Sequence, residues 1–159
     1  MRRGLIPGYG FFVGRKFRLD GRSINLRNLE NKIVRARYGD ARAHAALNCA
    51  SVGCPRLPTT AFEPGRLERE LDSAMAEFVA SEQNVRIDEA KRTVFLSKIF
   101  DWYREDFLAD EREAGNAKPN LIDYVNRFRG EAPPIPREYK VRFLEYDKRL
   151  NRLPDPEGN

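Results

Sequence analysis

The sequence predicts an α+β fold, a mostly antiparallel sheet built from hairpins with four or so amphipathic helices. Two observations carry this expectation. Hairpin signals are interspersed with helical stripes, and no repeating βα unit appears that would imply a parallel sheet. The chain has 159 residues, the usual mass of one domain, so a single domain over 1–152 and a polar tail over 153–159 are expected. A composition of 41% hydrophobic and 33% charged residues is too apolar for a disordered chain and too charged for a membrane protein.

Phe11, Val13, Phe17 and Leu19 fall on one period-2 face, and Asp20-Gly21 then leads to Ser23-Ile24-Asn25-Leu26, which reads as a first hairpin. A helix should follow from Asn25 to Tyr38, with Asn25 as N-cap, Leu26, Leu29, Ile33 and Val34 as its apolar stripe, and Gly39 ending it. Ala41 to Ser51 is a small-residue run that fits a strand or a helix equally well, and Gly53, Pro55 and Pro58 make a loop of the residues after it.

Pro64 suits the first turn of a helix to about Ala80, which carries Leu67, Leu71, Met75, Phe78 and Val79 on one face. Val85-Arg86-Ile87 and Thr93-Val94-Phe95-Leu96 flank Asp88-Glu89-Ala90-Lys91 as a second hairpin. Ser97 caps a helix through Phe107, and another runs from Pro119 to Gly130 on Leu121, Tyr124, Val125 and Phe128. Pro133-Pro134-Ile135-Pro136 is a stiff spacer before a last strand, Val141 to Tyr146.

Charge is uneven. Residues 1–60 hold twelve Arg and Lys against Asp20, Glu30 and Asp40, a balance of +9, while the remainder balances at −4. A basic third of a chain attracts nucleic acid, anionic lipid or acidic ligands. No nucleic-acid motif accompanies it, so a solvated Arg-rich surface is the expectation, and nucleic acid is not an expected partner. Asp101, Glu105 and Asp106 form an acidic face suited to pair with the basic third. No apolar run reaches the ~18 residues of a membrane span. No signal-peptide core follows Met1-Arg2-Arg3, because Pro7 and three glycines fall within the first ten residues. As written, the sequence reads as soluble and cytoplasmic.

The one histidine and both cysteines lie within eleven residues, His44-Ala-Ala-Leu-Asn48-Cys49-Ala-Ser51-Val-Gly53-Cys54. Four readings compete. A Cys49–Cys54 disulfide would close a short loop, contributing about 2 kcal/mol in the chain-entropy model, and would need an oxidising compartment. A metal site on His44, Cys49 and Cys54 lacks a fourth ligand and the closer cysteine spacing of structural zinc, so no metal is expected. In a thiol enzyme, Cys49 would be the nucleophile and His44 the base. Positions 44 and 49 point to opposite faces of a strand, or lie about 140° apart on a helix, so contact would need a bend. Asn48 shares a face with His44 in either case, and Glu30 is a candidate carboxylate to orient the ring; Cys54, beyond the turn, is an alternative nucleophile or the disulfide partner of Cys49. The last reading makes His44 a satisfied turn histidine and the cysteines small buried fillers. Trp102, Tyr103 and Ser97 are candidates to line a pocket, although aromatic residues at helical spacing are more often core.

His44-Ala-Ala-Leu-Asn-Cys49-Ala-Ser-Val-Gly-Cys54-Pro55, then Leu96-Ser97-Lys98-Ile99-Phe100-Asp101-Trp102-Tyr103-Arg-Glu-Asp106-Phe107, then Tyr146-Asp147-Lys148-Arg149-Leu150-Asn151, resemble the ordered motifs of the domain-of-unknown-function 547 family. Residues from Ser23 to Ile33, with Glu30, resemble a further segment. Lys148 stands where the family has Trp, and Ala45 where it has Phe. An upstream helical segment of the family has no counterpart. The resemblance therefore implies the C-terminal two-thirds of a fuller domain, with an apolar face open to self-association or to a partner chain. If the N-terminus is incomplete, an exported or periplasmic location stays open. The resemblance implies no reaction and no cofactor. Two functions remain: a cysteine-dependent hydrolase or acyl-transferase-like site acting on an amide or ester, and a noncatalytic protein-binding or scaffolding module with structural cysteines. The ligand of either would be a small molecule or a peptide.

Overall fold

The computed structural model describes residues 10–152. The N-terminal reading over Met1–Tyr9 and the polar tail 153–159 lie outside the described residues. The chain divides into two compact units between Ala41 and Arg42.

The first unit contains the first hairpin. Strands β1 (Phe17–Leu19) and β2 (Arg22–Ile24) pair antiparallel, Phe17 opposite Ile24 and Leu19 opposite Arg22. Asp20 and Gly21 turn the chain with φ of 49° and 71°, the two left-handed positions of the tight turn that an Asp-Gly pair favours. The strand is shorter than the sequence predicts. Gly10–Gly14 forms π-helical turns instead, closed by Arg15 N–H donating to the Gly10 carbonyl at 3.1 Å. Phe11-Phe12-Val13 is a continuous apolar run rather than an alternating one, so its period-2 signal was weak. Asn25 caps α1 (Leu26–Asn28), its Oδ1 accepting from Asn28 N–H at 2.8 Å. Helical turns continue through Leu29–Tyr38 and end on Gly39, whose φ of 63° lets its N–H reach the Arg35 carbonyl. The expected stripe of Leu26, Leu29, Ile33 and Val34 is only half-buried.

The second unit holds the core. Helix α2 (Ala43–Ala46) resolves the ambiguous small-residue run as one helical turn that gives way to extended backbone at Leu47. Pro64 opens a 3-10 turn leading into α3 (Leu67–Ala80), which buries Leu71, Met75, Phe78 and Val79 and leaves Leu67 exposed. Arg42 ties the start of α2 to α3 through Glu68 at 2.6 Å and Asp72 at 2.7 Å.

Strands β3 (Val85–Asp88) and β4 (Thr93–Leu96) form the second hairpin, and β5 (Lys140–Phe143) lies beside β4 in the order β3-β4-β5. Both hairpins are antiparallel; β5 runs parallel to β4 because the chain crosses over through three helices before returning. The register puts Val85, Ile87, Val94, Leu96, Val141 and Phe143 on the inward face. Ser97 caps α4 (Lys98–Trp102) as expected. The predicted single helix breaks at Tyr103 and resumes as α5 (Arg104–Glu113). Asn120 and Asp123 form a reciprocal capping box at α6 (Leu121–Arg127). Phe100 meets Phe107 at 4.8 Å between ring centroids, and Phe107 meets Tyr124 at 4.8 Å, joining the three helices through their aromatic residues. The proline spacer is anchored by Asn126, whose amide exchanges two hydrogen bonds with the buried Ile135 backbone.

Beyond β5 the chain returns to the 50–53 loop. Val52 N–H donates to the Arg149 carbonyl, Gly53 N–H to the Asp147 carbonyl and Asn151 N–H to the Ala50 carbonyl, at 2.8–3.0 Å. A Cβ on Gly53 would lie 3.0 Å from the Tyr146 ring, so this close approach favours glycine. Among the described residues, no helix is long and apolar enough to cross a membrane.

Candidate functional site

Two adjoining constellations emerge from the cysteine–histidine segment. The first surrounds His44, buried on the single turn of α2. Its Nε2 lies 2.8 Å from Asp106 Oδ2 on α5, and its ring stacks on Tyr103 at 3.8 Å between centroids, with Phe107 edge-on at 5.5 Å. The break at Tyr103 sets the stacked ring immediately before the helix that presents Asp106. Asp106, which the sequence suggests as part of an acidic surface, pairs instead with His44, whereas Asp101 pairs with Lys98.

The second constellation is the 48–55 loop. Cys49 and Cys54 are joined as a disulfide with their Cα atoms 6.2 Å apart. Asn48 shapes the loop from within: its Oδ1 accepts from Ala50 N–H at 2.6 Å and its Nδ2 donates to the Pro55 carbonyl. Ala50 takes a left-handed φ of 63° to make the turn. Ser51 Oγ lies 2.9 Å from Cys49 Sγ and 3.5 Å from Cys54 Sγ. Tyr146 reaches in from the returning chain, its hydroxyl 3.2 Å from each sulfur and 3.0 Å from Ser51 Oγ. Trp102 packs on the Tyr146 ring at 4.7 Å and is otherwise half-exposed.

The match to known families now has a structure to sit on. Residues 8–79 match the DUF547 family model. Its description is a protein of unknown function, so the match names a family and no activity. The matched stretch contains Glu30, His44, Asn48, Cys49 and Cys54, while Trp102, Tyr103, Asp106 and Tyr146 lie C-terminal to it. The resemblance read from the first motif thus holds over this stretch. No curated protein and no solved structure matches the chain.

The loop after Cys54 and helix α3 flank a polar groove of about 520 Å³, whose lining includes Cys54, Thr59, Ser73, Glu77 and Ser81. Arg56 Nη2 donates to Glu77 Oε2 at 2.9 Å, joining the loop to the helix. The hydrogen bond from Arg56 holds the Glu77 carboxyl below the ordinary range. Asp147, beside the disulfide loop, is pulled down to about 2, chiefly by its side-chain hydrogen bond with Arg149. Ser97 lines a smaller cleft of about 190 Å³ with Gly53 and Tyr146. Trp102 and Tyr103 line neither space; they pack against Tyr146 and His44. Glu30 lies on the helix of the first unit. Among the described residues, no group of three or more His, Cys, Asp and Glu side chains is arranged to hold a metal ion.

Sequence reasoning missed Ser51 and Tyr146 as well as Asp106. Each stands inside a motif quoted for the family resemblance, which was the available signal. Spacing along the chain could not connect Tyr146 to sulfurs 92 and 97 residues away.

Proposed function

We propose that the chain is a noncatalytic binding module in which the Cys49–Cys54 disulfide braces the loop beside the groove, and that the groove takes an extended peptide. One observation supports this reading: both cysteines that could serve as the nucleophile of a thiol hydrolase are bonded to each other. The hydroxyls of Thr59 and Ser73 and the Glu77 carboxylate offer polar contacts along the groove, suited to peptide backbone and side-chain groups. Selection of peptides from a displayed library on the full chain tests it. Selected peptides should lose at least about tenfold in affinity for Ser73→Arg, which intrudes on the groove, and keep it for Arg142→Glu on the outer face of the sheet. Equal binding to both variants overturns the reading.

The His44–Asp106 pair favours a second reading, the cysteine-dependent hydrolase or acyl-transferase. A buried imidazole held by a carboxylate is the base-and-orienter half of such a site, with Asp106 in the role for which Glu30 and Asn48 were candidates. The nucleophile would be Cys49 or Cys54 after reduction. Reduced protein should then turn over a panel of activated esters, and His44→Ala together with the matching Cys→Ser variant should abolish turnover. Absence of turnover in the reduced wild type overturns this reading.

A further inference from the structure

We propose that the Cys49–Cys54 disulfide is a thiol-exchange site with a fixed polarity: a small monothiol attacks Cys49, and Cys54 leaves as the thiolate. The proposal does not depend on what the groove binds.

Access separates the two sulfurs. Cys49 is exposed at the turn, whereas Cys54 is half-buried and lines the groove. A thiolate arriving from solvent therefore meets Cys49 first, and exchange rates depend on which sulfur is reached.

Hydrogen bonding points the same way. The backbone N–H of Cys49 donates to Cys54 Sγ at 2.9 Å, a donor that cannot rotate away. The hydroxyls do not add to this preference in the intact disulfide, because Tyr146 is equidistant and Ser51 is nearer Cys49, and each has one proton to place. Ser51 Oγ is 2.9 Å from Cys49 Sγ and 3.5 Å from Cys54 Sγ, and Tyr146 Oη is 3.2 Å from both. Once the bond breaks, the developing charge sits on Cys54, and the amide and both hydroxyls can point to it. Hydrogen bonds to an ionised acceptor are roughly twice as strong as neutral ones, so this arrangement favours the departing thiolate over the intact bond. A leaving thiol with a lower pKa leaves faster.

The step balances without a further reagent. The monothiolate forms a sulfur–sulfur bond to Cys49 as the Cys49–Cys54 bond breaks, and its electron pair departs on Cys54. A second monothiolate then attacks the sulfur of the bound thiol, releasing the Cys49 thiolate. Solvent protonates both protein thiolates. The protein disulfide is reduced by two electrons, and two molecules of monothiol are oxidised to their disulfide.

Glutathione is the probe. The folded, full chain is mixed with it at neutral pH, free thiols are alkylated with iodoacetamide at early times, and peptides are read by mass spectrometry. The expected product carries glutathione on Cys49 and the alkyl group on Cys54, in at least about tenfold excess over the reverse. Tyr146→Phe and, separately, Ser51→Ala should slow its appearance about threefold or more while preserving that order. The reverse adduct, an even split, or an adduct formed only in denaturant overturns the proposal. The position of the adduct on the wild-type chain decides the matter even if a variant fails to fold. It is also independent of peptide binding and ester turnover, so those readings can fail separately.

Discussion

The two hairpins carry the same kind of sequence signal and meet different fates. Both set apolar residues on one face either side of a turn, and both form antiparallel pairs. In the first, every residue of β1 is exposed, and Ile24 is the only residue of β2 that is even half-buried. In the second, Val85, Val94 and Leu96 are buried. The difference lies in what covers them. Strand β5 extends the second hairpin into a three-stranded sheet, and α4 contacts β5, whereas the first remains a two-stranded ribbon. A two-stranded hairpin is marginal without such cover. Alternation thus specifies which residues share a face, but a third element decides whether that face becomes core.

Identical substitutions on the two hairpins sharpen the contrast. Leu96→Ala in β4 removes a fully buried side chain and should cost about 2–5 kcal/mol in urea unfolding monitored by circular dichroism. A loss under about 1 kcal/mol would mean that the second sheet is not the stability-determining core. An intermediate effect is expected at the edge of that core: Asp106→Ala removes the carboxylate partner of the buried His44 ring and should cost about 1–3 kcal/mol, read the same way. The counterpart on the first hairpin is Leu19→Ala. Leu19 is 47% exposed, so the change should stay within about 0.5 kcal/mol. A large loss there would break the comparison by revealing a buried role for β1.

The smallest effect is one of pH. Asp147 is shifted from an ordinary 3.8 to about 2 by its bonds to Arg149. A depressed carboxyl contributes stability above its unfolded pKa and loses it as the pH falls through its folded value. The Gly53 amide, which donates to the Asp147 carbonyl, should keep its NMR position from pH 7 to about 5 and move as the pH falls from about 4 toward 2. Movement centred above pH 5 would assign the transition to another group.

Much of the scaffold was legible in the sequence because its signals are local. The caps at Asn25 and Ser97, the Gly39 stop, the α3 stripe and both hairpins each depend on a few neighbouring residues. Errors arose where tertiary contacts intervene. The helix predicted through Phe107 is interrupted at Tyr103, whose ring packs on His44, and the last strand is shortened and paired parallel to β4. The candidate site was legible only in part. His44, Cys49 and Cys54 declared themselves by rarity and proximity, and the disulfide was among the alternatives that spacing allowed. The partners Asp106 and Tyr146 lie 62 and more than 90 residues away, beyond what periodicity can connect.

That distance has a consequence for the order of assembly. The disulfide loop and Ser51 are local and are made early on a growing chain, but the Tyr146 hydroxyl and the 147–151 segment are synthesised after nearly everything they touch. Long-range closures of this kind are entropically costly and come late in folding. The loop should therefore pass through an interval in which its sulfurs are present and their hydroxyl companion is not, and its chemistry in the nascent chain should differ from that of the finished fold.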